Sequence, residues 1–472
     1  VRRRPAVLLA LLLTAGCTSD TSGTAAPAST APVPSPPTGA TGCPTERAAP
    51  DPDRPVVDLE FSLADDLRTV TGTETVVFTP DLPTDELVFR LVPNGPDATA
   101  LGNQLTVDSV RGDDVARGGY EEAGATAPGG LYVVELADRL AAGESTEVEL
   151  DFSLSLGGGG FERLGTAQDV SWFASGAPLL AWEPGVGWAR DPFVALTGET
   201  ASSPVSDTTI SVEAPAALTV LMTGDQDEPS RPRDGRRTWT SHEPVARDVS
   251  VAVGSFTTAE TQAGGVRVTT GVLPGSGLDP ARQAQATGEA IEQLSARFGA
   301  FPYATLTVPW LPDLGGGIEY PSSILMATDD EVVLVHEVAH MWFYGMVGDS
   351  QFRDPWLDES FASYAESVAG DLAPARVSRL LALEGDVGGS MASFPDDRSY
   401  VTTVYGKGAA MLLTAREQAG AEAFDAAVRC YVDATAWSIA TPDDVAAALA
   451  DLPAALAVLQ QAGALDADDL PD

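Results

Sequence analysis

The sequence predicts a multidomain α+β protein: an N-terminal antiparallel β domain over residues 56–262, a mixed α/β domain over 263–440, and a short helical segment at 441–472. Three observations predict this. At 472 residues the chain is longer than one ordinary domain. Between about 56 and 270, apolar and polar residues alternate with a period of two, interrupted by turn residues. From about 278 the period lengthens to that of a helix.

The opening VRRRPAVLLALLLTAGC carries Arg2, Arg3 and Arg4 ahead of an apolar run from Ala6 to Ala15. That run is too short to span a bilayer and reads as a secretory signal over 1–17. Its ending, TAGC, resembles a bacterial lipobox, with cleavage before Cys17 and lipidation of that cysteine; Thr14 stands where leucine is usual. An ordinary signal peptide with an incidental cysteine is the alternative. Residues 18–55 are rich in Ser, Thr, Ala, Pro and Gly and read as a disordered tether. In an oxidising compartment the other two cysteines, Cys43 and Cys430, are available to pair.

In the β domain, VDLEFSL, TGTETVVF, ELVFRLV, LYVVEL, STEVELDFSLSL, TTISVEA and DVSVAVGSF read as strands, and the glycines at 157–160 as a hairpin connection. Beyond it, Asp279-Pro280 opens a helix and ATLTVPWL forms a strand. The Gly-rich LGGGIEYPSS follows, then a short strand SILMAT and two helices near 330–346 and 354–370. Further helices cover VYGKGAAMLLTAREQAG and EAFDAAVRCYVDATAW, and Thr441-Pro442 caps the last. With 27 basic and 68 acidic residues, a net charge of -41, the chain is unsuited to nucleic acid or anionic lipid.

The whole chain has three histidines, and two lie four residues apart in HEVAHMWFYG. On a helix, His336 and His340 share one face and can both bind one Zn²⁺. Glu337 lies about 100° round the helix from His336, in reach of water activated by that zinc, as a general base. A catalytic zinc needs a third protein ligand. His242 lies far off in the β half and reads as a loop residue, so the candidate is a carboxylate in WLDESFASYAE. Glu359 lies 19 residues after His340 and opens an apolar helical run. Asp358 reads as a solvated cap. Glu366, two turns beyond Glu359, is placed to accept a hydrogen bond from a ligating histidine; an exposed glutamate is the other reading.

These segments resemble the aminopeptidase N family of gluzincin metallopeptidases. HEVAHMWFYGMVG followed by WLDESFASY is similar to the family's zinc motif. GGIEY resembles its Gly-x-Met-Glu-Asn motif, with Ile318 and Tyr320 as departures. VYGKGAAML resembles the segment bearing its catalytic tyrosine, and PVARDVSVAVGSF the end of its β domain. The resemblance covers about 56–450. It implies a thermolysin-like catalytic domain and a single zinc on His336, His340 and Glu359, with Glu337 as base. It also implies that Glu319 binds the free α-amino group of a peptide, beside Gly316 and Gly317, where backbone can pair closely with an extended substrate. Tyr405 is implied as the donor to the oxyanion, and Tyr400 is expected to line the same pocket. Only 67 residues follow Tyr405, where larger relatives carry a long helical domain, so a more open site is expected. The function expected is a zinc aminopeptidase trimming short peptides outside the cytoplasmic membrane. A cell-surface peptide-binding lipoprotein without turnover and a zinc hydrolase of a non-peptide substrate are the competing readings.

Overall fold

The structure, a computed structural model, describes residues 43–158, 162–198, 201–312, 315–370 and 374–470. The signal segment, Cys17 and most of the expected tether lie outside the described residues, as do residues 159 and 160 of the glycine connection. Among the described residues, no helix is long and apolar enough to cross a membrane.

The β half is built on a seven-stranded sheet. Its central strands are Ser206–Pro215, Val56–Leu63, Thr69–Phe78 and Thr146–Ser155. Alternation does what the sequence predicts: in Thr146–Ser155, Val148, Leu150, Phe152 and Leu154 point into the core while their neighbours face outward. Gly72 lies directly opposite Phe152 in register, and a Cβ there would come within 2.2 Å of the Phe152 ring. One expectation fails. The domain is not purely antiparallel, because Val56–Leu63 pairs in parallel with Ser206–Pro215. Alternation marks which residues are buried and is silent on strand direction. His242 is also not a loop residue: it lies exposed on the strand Arg236–Ala246, with Nε2 2.6 Å from Asp207 Oδ1.

The second half begins with a five-stranded mixed sheet in the order Thr257–Ala263, Val266–Val272, Thr305–Pro309, Ser323–Met326, Gly317–Tyr320. Its first strand starts at Thr257, so the expected boundary at 262/263 falls at the end of that strand. The segment expected as a glycine-rich link is partly a strand, Gly317–Tyr320, at the sheet's edge. Helices pack behind the sheet, and the C-terminal helices Pro442–Ala448 and Pro453–Gln461 contribute Val445, Leu459 and others to the same core.

Two features join the halves. Ile318 and Tyr320 of the edge strand pack with Val170, Trp172, Leu221 and Phe256 of the β half in a shared apolar cluster. The turn after that strand is held from the β half: Ser322 Oγ accepts from Gly224 N at 2.9 Å, and Ser250 Oγ donates to Ser323 Oγ at 2.7 Å. Ser322 takes a φ of 51°, unusual outside glycine. The end of the expected tether is fixed rather than disordered. Cys43 forms a disulfide with Cys430, Arg47 pairs with Asp433 at 3.2 Å, and Arg54 Nε donates to the Pro244 carbonyl. Composition hid this, because covalent and ionic anchors need only a few residues.

Candidate active site

The first ligand helix runs over Glu331–Ala339 and starts at Asp330, whose Oδ1 accepts from Val332 N at 2.9 Å. It is shorter than the expected 330–346. His340 caps its C-terminus in a still α-conformed backbone, and the chain then turns back, with Gly345 N donating to the His340 carbonyl at 2.8 Å. The turn is pinned by Arg247 of the β half. Its buried guanidinium donates to the carbonyls of Ser203, Gly345, Met346 and Ser438. Arg247 lies in PVARDVSVAVGSF, but this role is not written in that segment, since its partners are backbone atoms distant in the chain.

The second ligand helix, Trp356–Gly370, is buried around its whole circumference for three turns. It brings Glu359 Oε2 to 3.3 Å from His336 Nε2 and 3.5 Å from His340 Nε2. The two rings meet edge to face, 4.7 Å between centroids. Ligand atoms of His336, His340 and Glu359 all lie within 4.8 Å of one another. This brings the three expected ligands together.

Their orientation is fixed from behind. Asp358 is no solvated cap: it is 2% exposed, and its Oδ1 lies 2.5 Å from His340 Nδ1. That contact occupies Nδ1 and leaves Nε2 for a metal. Flanked by Trp356, Leu357 and Phe361 on a helix buried all round, this carboxylate has no route to water. Glu366 takes the corresponding place behind His336, with Oε2 3.4 Å from Nδ1.

The electrostatics of the pocket suit a cation. Burial opposes charge on His336, yet Glu359 and Glu366 outweigh it and raise its pKa to about 10. His340 is likewise raised against burial by Glu319, Asp358 and Glu359. Burial acts upward on Glu359, but the two imidazoles and Tyr405 bring it below the usual glutamate value. Two imidazole nitrogens and a carboxylate that favour positive charge between them form a donor set suited to Zn²⁺.

Glu337 is 5% exposed, and burial raises its pKa to about 8. Gly317 lies against it, where a Cβ would come within 2.4 Å of Glu337 Cγ. Any side chain at 317 would displace the glutamate, which gives that glycine a physical reason. Two positions on, Glu319 faces the same pocket, since alternate residues of a strand share a face, and Ile318 and Tyr320 face the β half. The departures at Ile318 and Tyr320 are therefore changes in the buried seam between the halves. Glu319 is 5% exposed. Gly316 precedes the strand, and its carbonyl accepts from Ala327 N at 2.8 Å.

Tyr405 lies in a π-helical stretch, Val401–Lys407, that runs into the start of the expected helix. Such widened turns often mark functional sites. Its hydroxyl donates to Glu359 Oε1, and its ring stacks 5.9 Å from His336. The stretch is locked to the ligand helix by Ser360 Oγ, which donates to the Val404 carbonyl at 2.6 Å, and by Gly408, where a Cβ would strike Ser360 Oγ. Tyr400 is buried and meets Tyr405 edge to face at 5.8 Å.

Against this geometry, comparison with known proteins gives a consistent answer. The Peptidase family M1 domain matches residues 319–384, which start within the edge strand and take in both ligand helices. A solved M1 zinc metallopeptidase from Deinococcus radiodurans superposes with a TM-score of 0.64, covering 89% of this chain and 95% of that one at 19% identity. The fold is that of an M1 zinc metallopeptidase. A variant of the Deinococcus protein, also at TM-score 0.64, was solved bound to a Tyr-Ser-Ala substrate. Among curated sequences, Tricorn protease-interacting factor F2 of Thermoplasma volcanium is 27% identical over 191 residues, 33% of this chain and 24% of that protein. Aminopeptidase N of Streptomyces lividans is 49% identical over 41 residues, 9% of this chain and 5% of that protein. The chain thus aligns with no more than about a quarter of the length of these two relatives.

Proposed function

We propose that this protein is a zinc aminopeptidase that removes the N-terminal residue of short peptides. The observation that carries this reading is the placement of Glu319. Its carboxylate is buried on an edge strand, with a ligand oxygen within 4.8 Å of those of Glu337 and His340. A carboxylate held there binds an α-ammonium group and sets the first peptide bond at the metal.

His336, His340 and Glu359 hold the zinc, which when bound supplies Lewis acidity to the scissile carbonyl and to water. The edge strand Gly317–Tyr320 offers backbone groups to an extended peptide. Glu319 fixes the amine. Glu337 takes the proton of the attacking water and passes it to the leaving amine. The Tyr405 hydroxyl turns from Glu359 to donate to the developing oxyanion. Asp358 and Glu366 keep both imidazoles in the ligating tautomer and orientation.

The reading includes a place of action outside the cytoplasmic membrane, with Cys17 as the lipid anchor. The leader-like sequence supports it, and so does the Cys43–Cys430 disulfide, since such bonds persist in oxidising compartments. Labelling with a fatty-acid analogue in a secreting bacterial host tests the anchor: Cys17→Ser should abolish incorporation, and unchanged incorporation would refute it. The activity is tested with single-residue fluorogenic amides. Hydrolysis should stop on chelation and on acetylation of the substrate amine. Cleavage of acetylated peptides at internal bonds would make the protein an endopeptidase instead.

A further inference from the structure

The pocket holds two overlapping donor sets. The first is His336, His340 and Glu359; the second is Glu319, Glu337 and His340, whose ligand atoms also lie within 4.8 Å of one another. The second set has an independent mark. Glu319 Oε1 and Glu337 Oε2 are both buried and, among the described residues, have no hydrogen-bond partner. Each carboxylate thus keeps one oxygen away from water without a hydrogen bond, which is costly; the buried Arg163 guanidinium acts on Glu319, and the positive neighbours of Glu337 are the two imidazoles. Backbone packing forces the carboxylates there: Gly317 lies against the Glu337 side chain, and Glu319 shares that strand face. A cation between them offsets the cost. A peptide's ammonium is one such cation, and a divalent metal ion is another.

We propose that Glu319 and Glu337 form a second divalent-cation site beside the zinc, and that an ion there switches the enzyme off. The proposal rests on the aminopeptidase reading above. His340 offers only one free nitrogen, because Nδ1 is held by Asp358. With the first site filled, the second ion therefore has the two carboxylates and solvent as ligands, and binds more weakly. An ion so placed removes the proton acceptor and the amine anchor together. It competes with substrate for the pocket, so free zinc acts as a competitive inhibitor at levels above those that fill the first site.

The test is zinc binding to the full chain by calorimetry, with metal analysis on the same samples. The parent protein should take up two equivalents, the second more weakly, and Glu319→Gln should take up only one. His336→Ala should lose the tight equivalent, which probes the zinc reading itself and separates its failure from failure of the second site. Kinetics give a second readout. At free zinc ten times the second dissociation constant, the apparent KM of the parent should rise about elevenfold with kcat unchanged. Saturation of the parent at one equivalent, a Glu319→Gln protein that still binds two, or inhibition that lowers kcat at constant KM would each overturn the proposal.

Discussion

The outer faces of the β half and the pocket of the catalytic half treat charge in opposite ways. On the sheet surfaces, carboxylates stand exposed beside arginines, as in Arg117 with Glu135 and Arg236 with Glu213. In the pocket, Glu319, Glu337, Asp358 and Glu359 are all buried around two imidazoles, and two of them keep an oxygen without a partner. Exposed pairs contribute little to stability and can be exchanged freely. Buried carboxylate oxygens without a hydrogen bond oppose folding, so their presence is explained by what they bind. The contrast separates residues that solubilise the protein from residues that perform chemistry.

The largest effect expected is at Glu337. Glu337→Gln keeps the shape and removes the base, so kcat should fall by ~10²–10⁴ while bound zinc, measured on the same sample, is retained. Thermal unfolding of the variant should occur at or above the parent temperature, because a buried group whose ionisation its surroundings oppose has become permanently neutral. A destabilised variant with normal turnover would place Glu337 with the structural charges and break the comparison.

At the seam between the halves, Glu243 sharpens it. Burial raises this carboxyl to about 7, against the hydrogen bond from Ser322 beside the substrate strand. A carboxyl with a raised pKa in the folded protein contributes stability that is full below its unfolded value, near 4.5. That contribution is lost as pH rises through about 7. The loss is about 3 kcal/mol at most. Glu243→Gln stays neutral, so the difference in unfolding free energy between pH 4 and pH 8 should shrink. An unchanged pH profile would show that Glu243 is not held protonated.

Asp358→Ala should lower zinc affinity by ~10–100-fold in competition with a chromogenic chelator. Unchanged affinity would make its contact with His340 incidental. The smallest effect is on the sheet surface, where Arg117→Ala should change unfolding free energy by no more than about 1 kcal/mol and leave kcat/KM unaltered.

Much of the pocket was legible in the sequence because its chemistry is local: the spacing of His336 and His340, and the carboxylate opening the next helix, constrain two helix faces. The strands of the β half were legible where one face is buried and the other wet, as in Thr146–Ser155. What escaped depends on contacts between distant segments. The parallel pairing of Val56–Leu63 with Ser206–Pro215 leaves no local pattern. Arg247 acquires its role only when the turn after His340 folds over it. Asp358 was misjudged because a polar residue at a helix start is usually a cap, and only the burial of the whole helix forbids that here. The π-helical widening at Tyr405 arises from packing against Ser360, which helical periodicity cannot register.

Zinc K-edge absorption spectroscopy on the zinc-loaded protein tests the central claim most directly. The account predicts one tightly held zinc with two imidazole nitrogens and carboxylate oxygen at ~2.0–2.2 Å, and loss of that spectrum in Glu359→Ala. A protein that binds no zinc tightly, or whose zinc keeps the same ligand shell when Glu359 is removed, would contradict it.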